Sequence, residues 1–142
     1  MISTGRESRH LSVFIDRAAD DVYAYASDPA NLPEWAGGLG PSIERIDDTW
    51  VATSSPMGRV VVTFAPRNEL GVLDHDVTLP SGETVHNPVR VIADGTGSEV
   101  IFTLRRRPEM RDAEFERDAD TVAADLTRLK ELMEAASANE GG

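Results

Sequence analysis

The feature that most constrains the fold is a long amphipathic helix in the last third of the 142-residue chain. Its apolar positions follow one another at alternating spacings of four and three residues: Phe115, Ala119, Val122, Leu126, Leu129, Met133 and Ala136. This spacing places all of these side chains on one face of a helix. The segment from about Arg111 to Ala136 contains neither glycine nor proline, so the sequence predicts one uninterrupted helix that must bury a single apolar stripe.

The residues before this helix predict an antiparallel sheet. Apolar and polar residues alternate through much of the chain, and turn residues such as Pro80, Gly82 and Gly95 separate the alternating segments. The spacers are short, whereas parallel strands need a crossover of a dozen or more residues, so we expect hairpins. The seven candidate strands are 10–16, 42–48, 49–55, 58–65, 70–79, 84–93 and 98–106.

Two short helices are predicted between the first and second strands. Residues 19–27 carry apolar side chains at helical spacing. The pair Asp28-Pro29 ends that helix and can open another, with Asp28 as the N-cap and Pro29 as the first residue. The second helix carries Trp35 and stops at Gly37.

A sheet with one apolar face and a helix with one apolar stripe are best buried against each other. We therefore expect an α+β fold in which a curved, seven-stranded antiparallel sheet wraps around the C-terminal helix, with the short helices closing one end. Such a sheet encloses more volume than one helix fills, which predicts a cavity between them. We expect residues 10–136 to form a single domain, preceded by a flexible leader (1–9) and followed by a disordered tail (137–142).

The sequence also resembles a known superfamily. The segment 10–35, which ends in Asp-Pro-Ala-Asn-Leu-Pro-Glu-Trp, is similar to the opening of START-like or SRPBCC proteins, and similarity continues at 71–77, 87–91 and 125–129. The resemblance covers about residues 10–136 and implies the helix-grip fold of polyketide cyclase/dehydratase-like proteins and Bet v 1 relatives. The resemblance is greatest to small bacterial members of the superfamily whose role is unknown. Because the superfamily includes carriers, cyclases, lipid-transfer domains and co-chaperones, the resemblance implies no particular set of catalytic residues.

Composition narrows the classes of partner and cofactor. Lys and Arg number 14 against 25 Asp and Glu, a net charge of −11, which opposes binding to nucleic acid or to an anionic membrane. The sequence shows no signal peptide and no apolar stretch of transmembrane length, so we expect a cytoplasmic protein. Cysteine is absent and the three histidines lack metal-binding spacing, so we expect no metal and no cofactor.

His75 is the residue best suited to a chemical role. It shares a strand face with apolar side chains, so we expect it inside the cavity with a pKa lowered by burial. The favoured interpretation is a core histidine with a hydrogen bond across the sheet; the alternatives are a polar anchor for a ligand and, as the weak catalytic candidate, a general acid or base. The other residues expected to line the cavity, which equally suit an ordinary core, are Trp35, Met57, Val62, Phe64, Leu73, Val77, Phe102, Phe115, Ala119 and Val122.

Three functions follow, in order of preference. The first is binding of a small hydrophobic molecule, aromatic or lipid-like; the second is a cyclase/dehydratase-like enzyme; the third is a protein-interaction module, with a homodimer as one form. The enzyme needs a second polar or titratable group beside His75, for which His86, Arg90 and Glu83 are candidates. The sequence favours solvent for His86 and a surface salt bridge to Asp74 or Asp76 for Arg90.

Overall fold

A computed structural model describes residues 7–55 and 58–140 and has the expected α+β architecture. Eight strands precede the long C-terminal helix, and short helical elements lie between the first two strands. In chain order the elements are β1 (Ser8–Ile15), α1 (Ala19–Ala26), a 3-10 turn (Pro29–Asn31), α2 (Leu32–Trp35), a 3-10 turn (Gly37–Leu39), β2 (Glu44–Ile46), β3 (Thr49–Ser55), β4 (Gly58–Phe64), β5 (His75–Thr78), β6 (Thr84–Asn87), β7 (Val89–Asp94), β8 (Gly97–Arg105) and α3 (Asp112–Glu140).

The strands form two antiparallel sheets, which corrects the prediction of a single seven-stranded sheet. One sheet has the order β1-β8-β7 and the other β2-β3-β4-β5-β6. The predicted strand 84–93 divides at Pro88 into β6, which pairs with β5, and β7, which pairs with β8. Proline has no amide hydrogen, so Pro88 can only accept a hydrogen bond from a neighbouring strand. The Pro88 carbonyl accepts a hydrogen bond from the Thr103 N–H at 2.9 Å, so the chain enters the second sheet at this residue.

Asp74 completes this junction between the sheets. The predicted strand 70–79 is regular only from His75 to Thr78. Just before it, the Asp74 carboxylate accepts a hydrogen bond from the Val89 N–H at 2.9 Å and also binds the Arg90 guanidinium. The surface salt bridge expected for Arg90 is therefore confirmed, and it anchors the start of β7.

The segment before Asp74 continues the ladder onto β7. The Leu73 N–H donates to the Val89 carbonyl and the Val91 N–H donates to the Gly71 carbonyl, each at 2.9 Å. Gly71 has φ of 72°, and a Cβ added there would overlap the Val91 carbonyl oxygen. Glycine is therefore required at this close approach between two backbones.

The buried stripe of α3 packs against β1, β8, α2 and the 3-10 turn after α2. The predicted apolar positions from Phe115 to Met133 are buried, which confirms the spacing argument. The helix runs to Glu140, four residues past its predicted end, and so includes part of the segment 137–142 predicted to be disordered. Among the described residues, no helix is long and apolar enough to span a membrane.

The other end of the chain also differs from the prediction. β1 begins at Ser8, two residues before the predicted start, and the Glu7 carbonyl accepts a hydrogen bond from the Arg106 N–H at 2.8 Å. Residues 1–6 of the predicted leader lie outside the described residues. The Asp28 N-cap is confirmed, because its carboxylate accepts a hydrogen bond from the Ala30 N–H at 3.0 Å.

Substitution of Gly71 tests the junction. Gly71→Ala should cost about 1–2 kcal/mol for a left-handed backbone and roughly 1–3 kcal/mol more for overlap with the Val91 carbonyl. Gly95→Ala is the matched control, because Gly95 has φ of 62° but nothing within 4 Å of an added Cβ. Denaturant unfolding of both variants measures the difference, and equal destabilisation would contradict the close approach.

Candidate functional site

The cavity residues predicted from the sequence are brought together in one apolar core. Nine of them are buried in this core or packed directly against it: Trp35, Val62, Phe64, Leu73, Val77, Phe102, Phe115, Ala119 and Val122. Met57 lies outside the described residues. His75, the remaining predicted residue, is partly buried and contacts two of the nine. The sequence therefore located a shared interior, and a ligand-binding role for it stays a prediction.

Four side chains meet where the two sheets join, and we call Phe64, His75, Asn87 and Phe102 the His75 cluster. His75 is the register partner of Phe64 on β4 and of Asn87 on β6. The imidazole centroid lies 5.0 Å from the Phe64 ring and 6.3 Å from the Phe102 ring, which belongs to the other sheet. All four side chains are partly rather than fully buried. The cluster is thus an aromatic site with polar groups at its centre.

Hydrogen bonding fixes the tautomer of His75. Its Nδ1 lies 3.1 Å from the Leu73 carbonyl oxygen, and because a carbonyl can only accept, Nδ1 carries the proton. Nε2 then presents a lone pair, 3.5 Å from Asn87 Nδ2, at the outer limit of a hydrogen bond. Burial lowers the pKa of His75 below its ordinary value of 6.5, against a smaller opposing effect of the Leu73 hydrogen bond. His75 therefore acts as a neutral acceptor.

The three candidates for a second polar or titratable group are held elsewhere. His86 is exposed on the outer face, with Nδ1 2.6 Å from Asp76 Oδ1. Arg90 is exposed and binds Asp74, as described for the junction. Glu83 pairs with Arg107 at 3.4 Å. The structure thus separates these groups from the interior, as the sequence favoured for His86 and Arg90.

A second polar feature occurs where α3 meets the short helices. Asp125 Oδ1 accepts a hydrogen bond from the Gly37 N–H at 3.0 Å. Burial raises the pKa of Asp125 to about 6, despite the opposing effect of that bond. Arg128 Nε donates to the Glu34 carbonyl at 2.9 Å, which also ties α2 to α3. Close by in sequence, Trp35 Nε1 is buried without a hydrogen-bond partner in the part of the chain that the structure describes.

Two depressions of the described surface have volumes of about 330 and 280 Å³. The first lies between α1, the loop 68–71 and β7, and contains none of the predicted cavity residues. The second borders Phe115, whose ring centre lies 4.9 Å from the Arg9 guanidinium and 5.8 Å from that of Arg106. Neither depression is the cavity expected between sheet and helix, which stays a prediction.

Asn87 and Asp125 were not among the site residues predicted from the sequence. A signal for Asn87 was available, because a hairpin centred on Ser81 places residues 75 and 87 opposite each other, as the register confirms. Asp125 flanks the apolar stripe of α3 between Val122 and Leu129. Acidic residues are common on exposed helix flanks, so the sequence does not indicate that Asp125 is buried. Its burial depends on where α2 packs against α3.

Comparison with known proteins identifies the fold family. The profile of a family described as polyketide cyclase / dehydrase and lipid transport matches residues 8–134, most of the chain. No curated protein matches the sequence.

Solved structures with the same fold have low sequence identity. XoxI from Bacillus cereus has a TM-score of 0.72 at 13% identity, covering 92% of this chain and 97% of that one. The Aha1 dimer from Colwellia psychrerythraea has a TM-score of 0.71 at 13% identity, covering 90% of this chain and 96% of that one. Truncated norcoclaurine synthase from Thalictrum flavum has a TM-score of 0.61 at 18% identity, covering 93% of this chain and 96% of that one. These similarities establish a shared fold.

The state of His75 can be measured directly. We expect ¹⁵N NMR of the imidazole to show the neutral Nδ1–H tautomer at pH 6.5, with titration below that value. Because the folded-state pKa is lowered, the wild type should lose stability relative to His75→Phe as the pH falls below 6.5. A His75 ring half charged at pH 6.5, or no change in relative stability with pH, would contradict its burial.

Asp125 should show the opposite dependence on pH. Its folded-state pKa is above the ordinary value of 3.8, so the stability due to the protonated form is lost as the pH rises from 3.8 through about 6. Asp125→Asn keeps an acceptor for Gly37 and should be more stable than wild type at pH 8 by roughly 1 kcal/mol, since solvent screens a partly exposed carboxylate. Asp120→Asn, at an exposed position of α3, is the control, and urea unfolding at pH 4 and 8 is the measurement.

Proposed function

Because the chain belongs to the polyketide cyclase / dehydrase and lipid transport family, we propose that it binds a small hydrophobic molecule, aromatic or lipid-like, between the two sheets and α3. The observation that carries this proposal is the His75 cluster. A neutral imidazole with a lone pair is held between aromatic rings from both sheets, inside an otherwise apolar core. Ligand sites of this kind combine an apolar lining with a few oriented polar groups.

The protonation of His75 defines what the ligand should carry. Nε2 can accept a hydrogen bond, so a hydroxyl or N–H group of the ligand suits it. The amide of Asn87 is too distant at 3.5 Å to saturate that lone pair. A carboxylate ligand suits it poorly, because Nε2 carries no proton and Arg90 lies on the outer face. The proposed ligand is therefore neutral and bears a hydrogen-bond donor.

The rings around His75 favour a flat ligand. Phe64 and Phe102 are partly exposed although they pack against the core, so part of each aromatic surface is available for contact. Aromatic pairs gain from stacked or edge-to-face geometry in addition to burial. The buried Trp35 Nε1–H has no hydrogen-bond partner among the described residues, so it can donate to a carbonyl or ether oxygen of the ligand.

A cyclase/dehydratase-like reaction is the second candidate. It is favoured by the same imidazole, since a neutral histidine with a lowered pKa can accept a proton from a bound keto or hydroxy compound. Such a reaction also needs a second group to return or stabilise the charge, and His86, Glu83 and Arg90 are engaged elsewhere. Binding is therefore the preferred function.

A matched pair of probes tests the proposal. We expect 2-naphthol to bind more tightly than naphthalene, by about fivefold for one neutral hydrogen bond. In His75→Phe this preference should disappear while naphthalene still binds, because the apolar walls are retained. Isothermal titration calorimetry gives the affinities, and ¹H–¹⁵N NMR shift changes give the location.

His86→Phe is the control, because it removes an imidazole from the exposed outer face. It should leave the preference for 2-naphthol unchanged. Shift changes confined to the outer surface would refute the proposal, as would equal affinities of the wild type for the two probes.

A further inference from the structure

The depression between α1 and β7, here called the β7 groove, is separate from the proposed ligand site. It has a volume of about 330 Å³ and is open to solvent. One wall is α1, another is the loop between β4 and β5, and the floor is the end of β7. Its lining residues include Asp20, Tyr23, Glu69, Leu70, Ile92 and Ala93.

The groove displays two large aliphatic side chains. Leu70 is 81% exposed and Ile92 is 47% exposed. Hydrogen bonds hold the loop that carries Leu70: Asn68 Oδ1 accepts from the N–H groups of Leu70 and Val72 at 2.9 and 3.0 Å. The Asn68 N–H donates to the Tyr23 hydroxyl at 2.8 Å, which fixes the loop to α1. Leu70 and Ile92 thus form one exposed apolar patch beside a concavity, the kind of feature that marks an interaction site.

The floor of the groove also offers backbone groups. On the edge of β7 away from β8, Val89 and Val91 bond to Leu73 and Gly71. The backbone N–H and C=O groups of successive strand residues point to alternate edges of the strand. Those of Ala93 therefore point to the same edge as those of Val91. The chain has turned away at Gly71, and within the described residues no backbone bond reaches Ala93 on that edge. This edge can therefore accept one more short strand.

Charge distinguishes between the occupants that could add to this edge. Among the described residues, the charged side chains that line the groove are those of Asp20 and Glu69, and both are acidic. Arg67 lies near the groove, 5.6 Å from the Tyr23 ring centre, but does not line it. A second copy of a chain with net charge −11 would bring further negative charge to this rim. A segment with lysine or arginine beside aliphatic residues would instead be attracted.

We propose that the β7 groove docks an extended, basic and aliphatic segment of a partner protein. The segment adds to the edge of β7 at Ala93, with backbone hydrogen bonds to that residue. One aliphatic side chain lies between Leu70 and Ile92. Lysine or arginine side chains lie beside Asp20 and Glu69.

Fluorescein-labelled peptides of ten residues test this assignment. Three peptides share alternating valine and isoleucine and differ only in the intervening residues, which are lysine, glutamate or serine. We expect fluorescence polarisation to show the tightest binding for the lysine peptide. Methylation of its central backbone amides should abolish binding, because those groups form the added strand.

Variants then locate the peptide on the protein. Leu70→Ser and Ile92→Thr should each weaken binding of the lysine peptide by roughly tenfold, and Glu69→Lys by about threefold. Ile46→Thr is the matched control, because Ile46 is 38% exposed on β2, an edge strand of the other sheet. It should leave the affinity unchanged, and thermal melts establish that all variants are folded.

Three results would overturn the proposal. The first is binding of the lysine peptide no tighter than that of the glutamate peptide. The second is loss of binding in Ile46→Thr that equals the loss in Leu70→Ser. The third is a concentration-dependent dimer in sedimentation that Leu70→Ser abolishes, since the occupant is then a second copy of the chain.

Discussion

The two sheets are joined by the hydrogen bonds of two consecutive residues, Pro88 and Val89, and the arrangement of both sheets depends on that junction. Backbone groups alternate in direction along a strand, so these two residues bond to opposite sides, and the N–H that proline lacks would have faced β8 rather than β5. The Val89 N–H donates a hydrogen bond to the Asp74 carboxylate, next to β5. The Pro88 carbonyl accepts a hydrogen bond from the Thr103 N–H of β8. The chain thus leaves one sheet and enters the other within a single residue, so the two sheets enclose a common core.

The candidate site is a consequence of this junction. His75 is the first regular residue of β5, next to the point where the sheets meet, so a ring from β8 can approach a ring from β5. Leu73 precedes the regular strand, and its carbonyl is available to the imidazole Nδ1–H. The same irregularity that divides the sheet therefore sets the tautomer of the one ionisable group in the His75 cluster.

Local periodicity was sufficient to predict the features that depend on one element. The spacing from Phe115 to Met133 located the buried face of α3, and alternation placed His75 on the inner face of its strand. The division of strand 84–93 was not predicted, because each half pairs in its own hairpin, β6 with β5 and β7 with β8, and the alternation of apolar residues does not show where the pairing changes. The pKa of Asp125 and the closeness of Gly71 to Val91 likewise depend on packing between distant segments.

The distribution of charge separates the two proposed binding surfaces. In the His75 cluster the polar groups are neutral, namely the imidazole of His75 and the amide of Asn87, so charged ligands would lose hydration without gaining a counter-ion. At the β7 groove the lining charges are acidic carboxylates in contact with water, which attract cations over longer distances. Ligand selection at the His75 cluster therefore depends on hydrogen bonding and shape. Partner selection at the β7 groove depends on charge, and binding there should weaken as the salt concentration rises.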